Sequence, residues 1–221
     1  MSSLIDFSGL ISNDVLSYMH LNEKYKNYEY VANELSFSSS ILAIPEQIHS
    51  SNVVIADKPG LYHGVDGLVT NISNIILCLK VADCVPIFLF GLKSNVVGLV
   101  HAGWRGIING IAQHSVEKML ELGANIKEIK IYLGPSIGKC CYEVNNDVAV
   151  YFNKEMKIKF KNHKWKVGIK EQLRYFLIET GVLPENIEIS NICTFEKQKY
   201  HSYRRDGVDA GRLLSFAGLK K

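Results

Sequence analysis

Apolar residues along this chain fall into short runs rather than long periodic stretches. Ile75 to Val81 is one such run, interrupted by Ala82-Asp83-Cys84 and resumed as Val85 to Phe90, and Asn95 to Val100 is another. Runs of this length, rich in β-branched and aromatic residues, predict buried strands. The last of them ends directly in His101-Ala-Gly-Trp-Arg-Gly106. The spacing then turns helical: Ile108, Ile111, Ala112, Ser115, Met119 and Leu122 share one face of a helix predicted over Ile107 to Leu122, with Gly123 as its stop. Further strands are expected at Ile41 to Ile44, Ile129 to Leu133 and Ile187 to Ile192. Met156 to Lys161 alternates apolar residues with lysines, the pattern of a charge-guarded edge strand. Helices are expected around Tyr25 to Leu35, from Asn145 or Asn146, over Glu171 to Thr180, and over Gly211 to Ala217.

Strands and helices interleave without strict βαβ alternation. That predicts an α/β (α+β) fold, a single domain with mixed, layered β-sheets flanked by helices. Residues 1–40, ending in Ser38-Ser39-Ser40, carry a weaker pattern and are expected to form a variable segment packed on the domain made by 41–221. No internal repeat or low-complexity linker divides the chain.

Composition narrows the function classes. With 47% apolar and 21% charged residues the 221-residue chain is an ordinary globular protein. A net charge of +3 is too small to predict a nucleic-acid partner. No apolar run approaches the roughly 20 residues needed to span a bilayer, and the opening MSSLIDFSGLISND lacks a basic leader. The five cysteines are odd in number and two are adjacent, which argues against a disulfide framework and for a reducing, cytoplasmic location. Nothing in the pattern sets an oligomeric state.

Three residues stand where apolar runs meet turns. His49 follows Glu46-Gln47-Ile48, Cys84 sits between two predicted strands, and His101 ends a third. Two imidazoles and a thiolate suit zinc, and three protein ligands leave one position open, as catalytic sites do. Taken singly, each has a plainer role as a core thiol or a satisfied histidine. The segment HAGWRG has two glycines and a small alanine beside His101, and Arg105 offers a fork of donors. It reads either as an anion site at a helix start or as a tight turn with Arg105 in solvent. Arg204 and Arg205, in Ser202-Tyr-Arg-Arg205, reach either a phosphate or a structural ion pair. Asp83 serves as a base, orients a histidine, or caps its turn. Cys140 and Cys141 read as structural; His20, His114 and His163 read as surface groups, with His63 and His201 as supporting neighbours.

The order QIHS, DGLVT, VADCVPIFLF, VVGLVHAGWRG, LGPSIGKCCYEV, ICT and SYRRD resembles the YfiH-like family over roughly residues 42–219. Those proteins were once named laccase-domain or multicopper polyphenol oxidoreductases and are now regarded as purine nucleoside phosphorylases. The resemblance implies a layered α/β domain and zinc held by His49, Cys84 and His101. It also implies phosphate-dependent cleavage of adenosine, inosine, guanosine or 5′-methylthioadenosine, with adenosine deamination as a second activity. Partners would then be purine nucleosides and inorganic phosphate, with Arg105, Arg204 and Arg205 as candidate phosphate ligands. A laccase mechanism does not suit the chain: it has seven histidines and no His-X-His pair, though His2Cys is also a set that takes one copper. The family's glycine-rich GGVS-like opening is absent, while Leu21-Asn22 is kept. Two rival readings are a metal-free hydrolase with Cys84 as nucleophile and His101 or His49 as base, and a non-catalytic zinc-binding partner protein, for which Asp83, Cys78 or His63 would supply a fourth ligand.

Overall fold

The apolar runs do form strands. The structure is a computed structural model that describes residues 4–6, 15–21, 27–34, 36 and 38–219. Its strands begin with β1 (Leu4–Asp6), β2 (Val15–Leu21), β3 (Leu42–Pro45), β4 (Val53–Ile55) and β5 (Gly60–Tyr62). They continue with β6 (Gly67–Thr70), β7 (Ile76–Val81), β8 (Val85–Gly91), β9 (Val96–Ala102) and β10 (Lys130–Leu133). The last five are β11 (Glu143–Val144), β12 (Lys157–Lys159), β13 (Trp165–Val167), β14 (Ile187–Ile189) and β15 (Leu213–Leu219). The helices are α1 (Tyr28–Glu34), α2 (Trp104–Ile108), α3 (Ile111–Glu121), α4 (Asn146–Ala149), α5 (Ile169–Glu179) and α6 (Tyr203–Asp206).

Two mixed six-stranded sheets stack face to face, in the orders β1-β2-β15-β7-β3-β5 and β14-β10-β8-β9-β6-β4, beside a small β11-β13-β12 ribbon. Side chains alternate across a strand, so each central strand serves two cores. Leu77 and Leu79 of β7 meet Phe88 and Phe90 of β8 between the sheets. Ile76 and Cys78 face outward to Val31 and Ala32 of α1. Ile87 and Leu89 of β8 face outward to Ile111, Val116 and Met119 of α3 and to Leu173 and Leu177 of α5. Four layers result, helix, sheet, sheet, helices. Strands buried on both faces read as continuous apolar runs, which is why they were legible.

Three expectations are corrected. Of the segment Gly211 to Ala217, expected as helix, Leu213 to Ala217 belong to β15, which pairs with β2 on one side and β7 on the other. All seven of its residues are buried. Its place in the sheet overrides the local preference, since each fully buried Leu or Phe contributes about 1.5–3 kcal/mol. The helix predicted over Ile107 to Leu122 is two helices, parted at Gly110 with φ +94°. His20 is buried rather than at the surface, its Nε2 3.1 Å from a Glu34 carboxylate oxygen. The lysine-guarded strand does lie at an edge, as β12. Tyr25, Asn22 and the segment expected to replace the glycine-rich opening fall outside the described residues, apart from β2 and α1. Among the described residues no helix is long and apolar enough to cross a membrane.

Candidate metal centre

Cys84 immediately precedes β8, and His101 lies one residue from the end of β9. In the β8–β9 ladder Val85 stands opposite Ala102 and Pro86 opposite His101. The register therefore carries both residues to the same end of the hairpin. His49 arrives from the other sheet, on the segment that links β3 to β4. Gln47 anchors that segment: its amide donates to the Lys80 carbonyl at 2.7 Å and accepts from the Lys80 N–H at 3.0 Å. Gln47 and His49 have φ of +65° and +62°, a left-handed conformation costing roughly 1–2 kcal/mol per residue.

Asp66 is what holds that conformation. Its fully buried carboxylate accepts from the N–H groups of Ile48, His49 and Ser50 at 3.2, 2.9 and 2.6 Å, and from Ser50 Oγ at 2.7 Å. The same carboxylate lies 2.7 Å from His101 Nδ1. One side chain thus sets the backbone of one histidine and the ring of the other, leaving His101 Nε2 for the site. Burial works to raise the pKa of Asp66, but hydrogen bonds from His101 and Ser50 outweigh it and keep the group below its usual range. Asp66 was not anticipated from the sequence; the signal was an acidic residue at the start of the apolar strand in Asp66-Gly-Leu-Val-Thr70.

Ligand atoms of His49, Cys84 and His101 all lie within 4.8 Å of one another. Cys84 Sγ is 3.9 Å from His49 Nε2, and the two rings stand 4.8 Å apart at 83°. Zinc bond lengths place such donors roughly 3.3–3.8 Å apart, so a small inward closure fits the ion. Gly103 makes room for this: a Cβ there would stand 2.8 Å from His49 Cδ2 and 3.3 Å from Cys84 Sγ. A Cβ on Gly106 would stand 2.6 Å from the Ser50 carbonyl oxygen. The glycines of HAGWRG therefore admit the His49 segment.

The charges of the centre are coupled. Burial disfavours the Cys84 thiolate, yet the adjacent His101 imidazolium and hydrogen bonds from His101 and His49 bring it down to about 6. Burial likewise opposes the charge on His101, but Cys84 and then Asp66 raise it to about 9. In metal-stripped protein, alkylation at Cys84 is expected to accelerate as pH rises through about 6 and then level off. An ordinary thiol would accelerate near about 8.5. Peptide mapping after iodoacetamide pulses checks this, and a rise confined to alkaline pH would contradict the thiolate–imidazolium pair.

The centre opens into a cleft of about 450 Å³. Arg105 and Arg204 line it, joined by Lys80 and Arg212, and the walls include Trp104, Tyr142 and Tyr203. Arg105 lies over the Trp104 ring at 4.6 Å and Arg204 over Tyr142 at 5.0 Å. Arg205 does not reach the cleft. Its guanidinium donates to the carbonyls of Thr194, Phe195 and Tyr200 and to the Asp206 carboxylate, so it braces the loop. Asp83 accepts from Thr194 Oγ1, Ser202 Oγ and the Arg204 N–H at 2.6, 3.0 and 2.7 Å, fastening the segment that carries Arg204. Cys78 is buried against the carbonyls of Ala43 and Ile76, and His63 lies beside Glu46. Among the described residues no fourth His, Cys, Asp or Glu joins the trio.

Comparison with known proteins agrees with this architecture. The chain is 31% identical over 225 residues to purine nucleoside phosphorylase YlmD of Bacillus subtilis, covering 92% of this chain and 81% of that protein. It is 33% identical over 207 residues to adenosine deaminase RL5 of an unknown prokaryotic organism, covering 86% and 78%. The crystal structure of Bacillus licheniformis hypothetical protein YfiH superposes with a TM-score of 0.91 at 26% identity, over 100% of this chain and 97% of that one. YlmD from Geobacillus stearothermophilus superposes at 0.87, also at 26% identity, over 95% and 93%. The sequence profile of multi-copper polyphenol oxidoreductase laccase matches residues 22–220, and the chain belongs to that laccase/YfiH family.

Proposed function

We propose that the chain is a zinc-dependent purine nucleoside phosphorylase, splitting adenosine, inosine, guanosine or 5′-methylthioadenosine with inorganic phosphate, and that it also deaminates adenosine. One observation carries the reading: a His2Cys donor set and a group of cationic side chains open onto the same cleft. The relatives named for these two reactions support it.

In this reading His49, Cys84 and His101 hold the ion, with copper as a second possible occupant of the same donors. When bound, it would supply a Lewis acid and lower the pKa of a bound water. Arg105 and Arg204, helped by Lys80 and Arg212, hold phosphate as a polyanion, the two guanidinium forks fixing its orientation. A phosphate oxygen bonds to C1′ of the ribose while the C1′–N bond breaks and its electron pair leaves with the base. Tyr142, Tyr203 and Trp104 offer flat faces to the purine. Deamination replaces the C6 amino group by oxygen from water and releases ammonia.

Adenosine with phosphate is expected to give adenine and ribose 1-phosphate, and to give inosine with or without phosphate. Both products fall on exhaustive chelation and return with added zinc; turnover that ignores chelation would overturn the assignment. The Cys84–His101 charge pair favours one alternative, a thiol hydrolase. That enzyme would survive chelation and be silenced by alkylation.

A further inference from the structure

Three of the five free cysteines gather outside the cleft. Cys140 and Cys141 lie on the turn that follows β10, and Cys193 on the segment after β14. Ser136 and Cys193 pair as an isolated parallel bridge, and the Thr194 N–H donates to the Ser136 carbonyl at 3.0 Å, so the two segments are laced together. The Cys140 and Cys141 sulfurs are 3.1 Å apart. One ligand atom from each of Cys140, Cys141, Cys193 and Glu196 falls within 4.8 Å of all the others. The Gly138 N–H donates to Cys193 Sγ at 3.2 Å, a contact that stabilises charge on the sulfur. A Cβ on Gly138 would stand 3.1 Å from Cys140 Sγ and 3.5 Å from Cys193 Sγ, so glycine keeps the sulfurs unobstructed. Cys140 and Glu196 are exposed while Cys193 is buried, which gives the cluster an entry side and a floor. None of these residues lines the cleft.

We propose that Cys140, Cys141, Cys193 and Glu196 bind a second thiophilic divalent cation of the zinc class. Three sulfurs and one carboxylate oxygen make a closed four-ligand set, the structural type. A zinc–sulfur distance of about 2.3 Å sets tetrahedral donors roughly 3.8 Å apart, between the observed 3.1 Å and the 4.8 Å limit. On binding, each thiol releases its proton to solvent and Glu196 enters as the carboxylate. The ion ties the turn of residues 138–142 to the segment 193–197. Both support the cleft: Tyr142 lines it, and Thr194 holds Asp83.

The test uses Cys84→Ala, in which the first centre is dismantled, under reducing conditions with Cd2+ as probe. One equivalent is expected to bind with thiolate-to-cadmium ultraviolet absorption and a raised Tm, and Zn2+ displaces it. Adding Cys140→Ser, at an exposed position that leaves the fold intact, should weaken binding by more than the roughly 10–100-fold lost when a residue that only orients a ligand is removed. Glu196→Gln should weaken it while keeping the absorption. No uptake by Cys84→Ala, affinity unchanged by Cys140→Ser, or a disulfide among the three thiols in the reduced preparation would overturn the proposal. Wild type should take up one equivalent more than Cys84→Ala; failure of that difference alone counts against the first centre.

Discussion

Cys84→Ala is expected to abolish both phosphate-dependent base release and inosine formation, with a loss above the roughly 100-fold upper range for residues that merely orient a metal ligand. Alanine removes the only sulfur among the three donors and leaves His49 and His101, too few to hold an ion over the cleft. The fold should stand, because Cys84 is half-buried and the Asp66 hydrogen bonds to the His49 segment do not involve it. Elemental analysis should find one ion per chain fewer than in wild type, at little change in Tm. A variant that keeps either activity would remove Cys84 from the proposed chemistry; one that loses activity yet keeps every ion would move it from ligand to nucleophile.

Asp66→Asn should act differently, on affinity and stability together. The carboxylate accepts from three backbone N–H groups, one hydroxyl and one imidazole. Asparagine has the same shape but turns one acceptor into a donor that faces other donors. Leaving buried donors unmatched costs about 1–3 kcal/mol. Losing the orientation of His101 costs roughly 10–100-fold in metal affinity. Chelator competition and thermal melts measure the two effects. The expected result is a lower Tm and weaker binding, with activity recovered at high zinc. Unchanged affinity would mean that the histidines are positioned by something else.

The sequence made the central strands legible because burial on both faces leaves an unbroken apolar run. It misled at Gly211 to Ala217, where such a run is too short to declare its period and only the slot between β2 and β7 decides. The trio of donors was visible as residues at strand ends, yet its convergence was not, since His49 comes from one sheet and the other two from the hairpin of the second. Asp66 was invisible for a related reason: nothing local marks a carboxylate that serves a segment sixteen to eighteen residues upstream and a histidine thirty-five residues downstream. Arg204 and Arg205 are neighbours of one residue type, and only the path of α6 sends the first into the cleft and the second onto the main chain.

The bonds from Asp66 have a consequence for how the protein matures. Every constraint on the three donors exists within the polypeptide itself: a ladder for two of them, a buried carboxylate for the third. In small zinc domains the ion and the fold arrive together; with the donors gathered by the chain's own bonds, the proposed ion would be expected to enter after the chain has folded. A socket whose donors are gathered by the chain itself, and need only a small closure, would do little to choose among ions that tolerate two nitrogens and a sulfur, and the affinity order of first-row metals favours copper over zinc. Under the proposed reading, what occupies it would then follow from supply in the surroundings. The same polypeptide recovered from copper-rich and zinc-rich media would carry different metals on an identical scaffold.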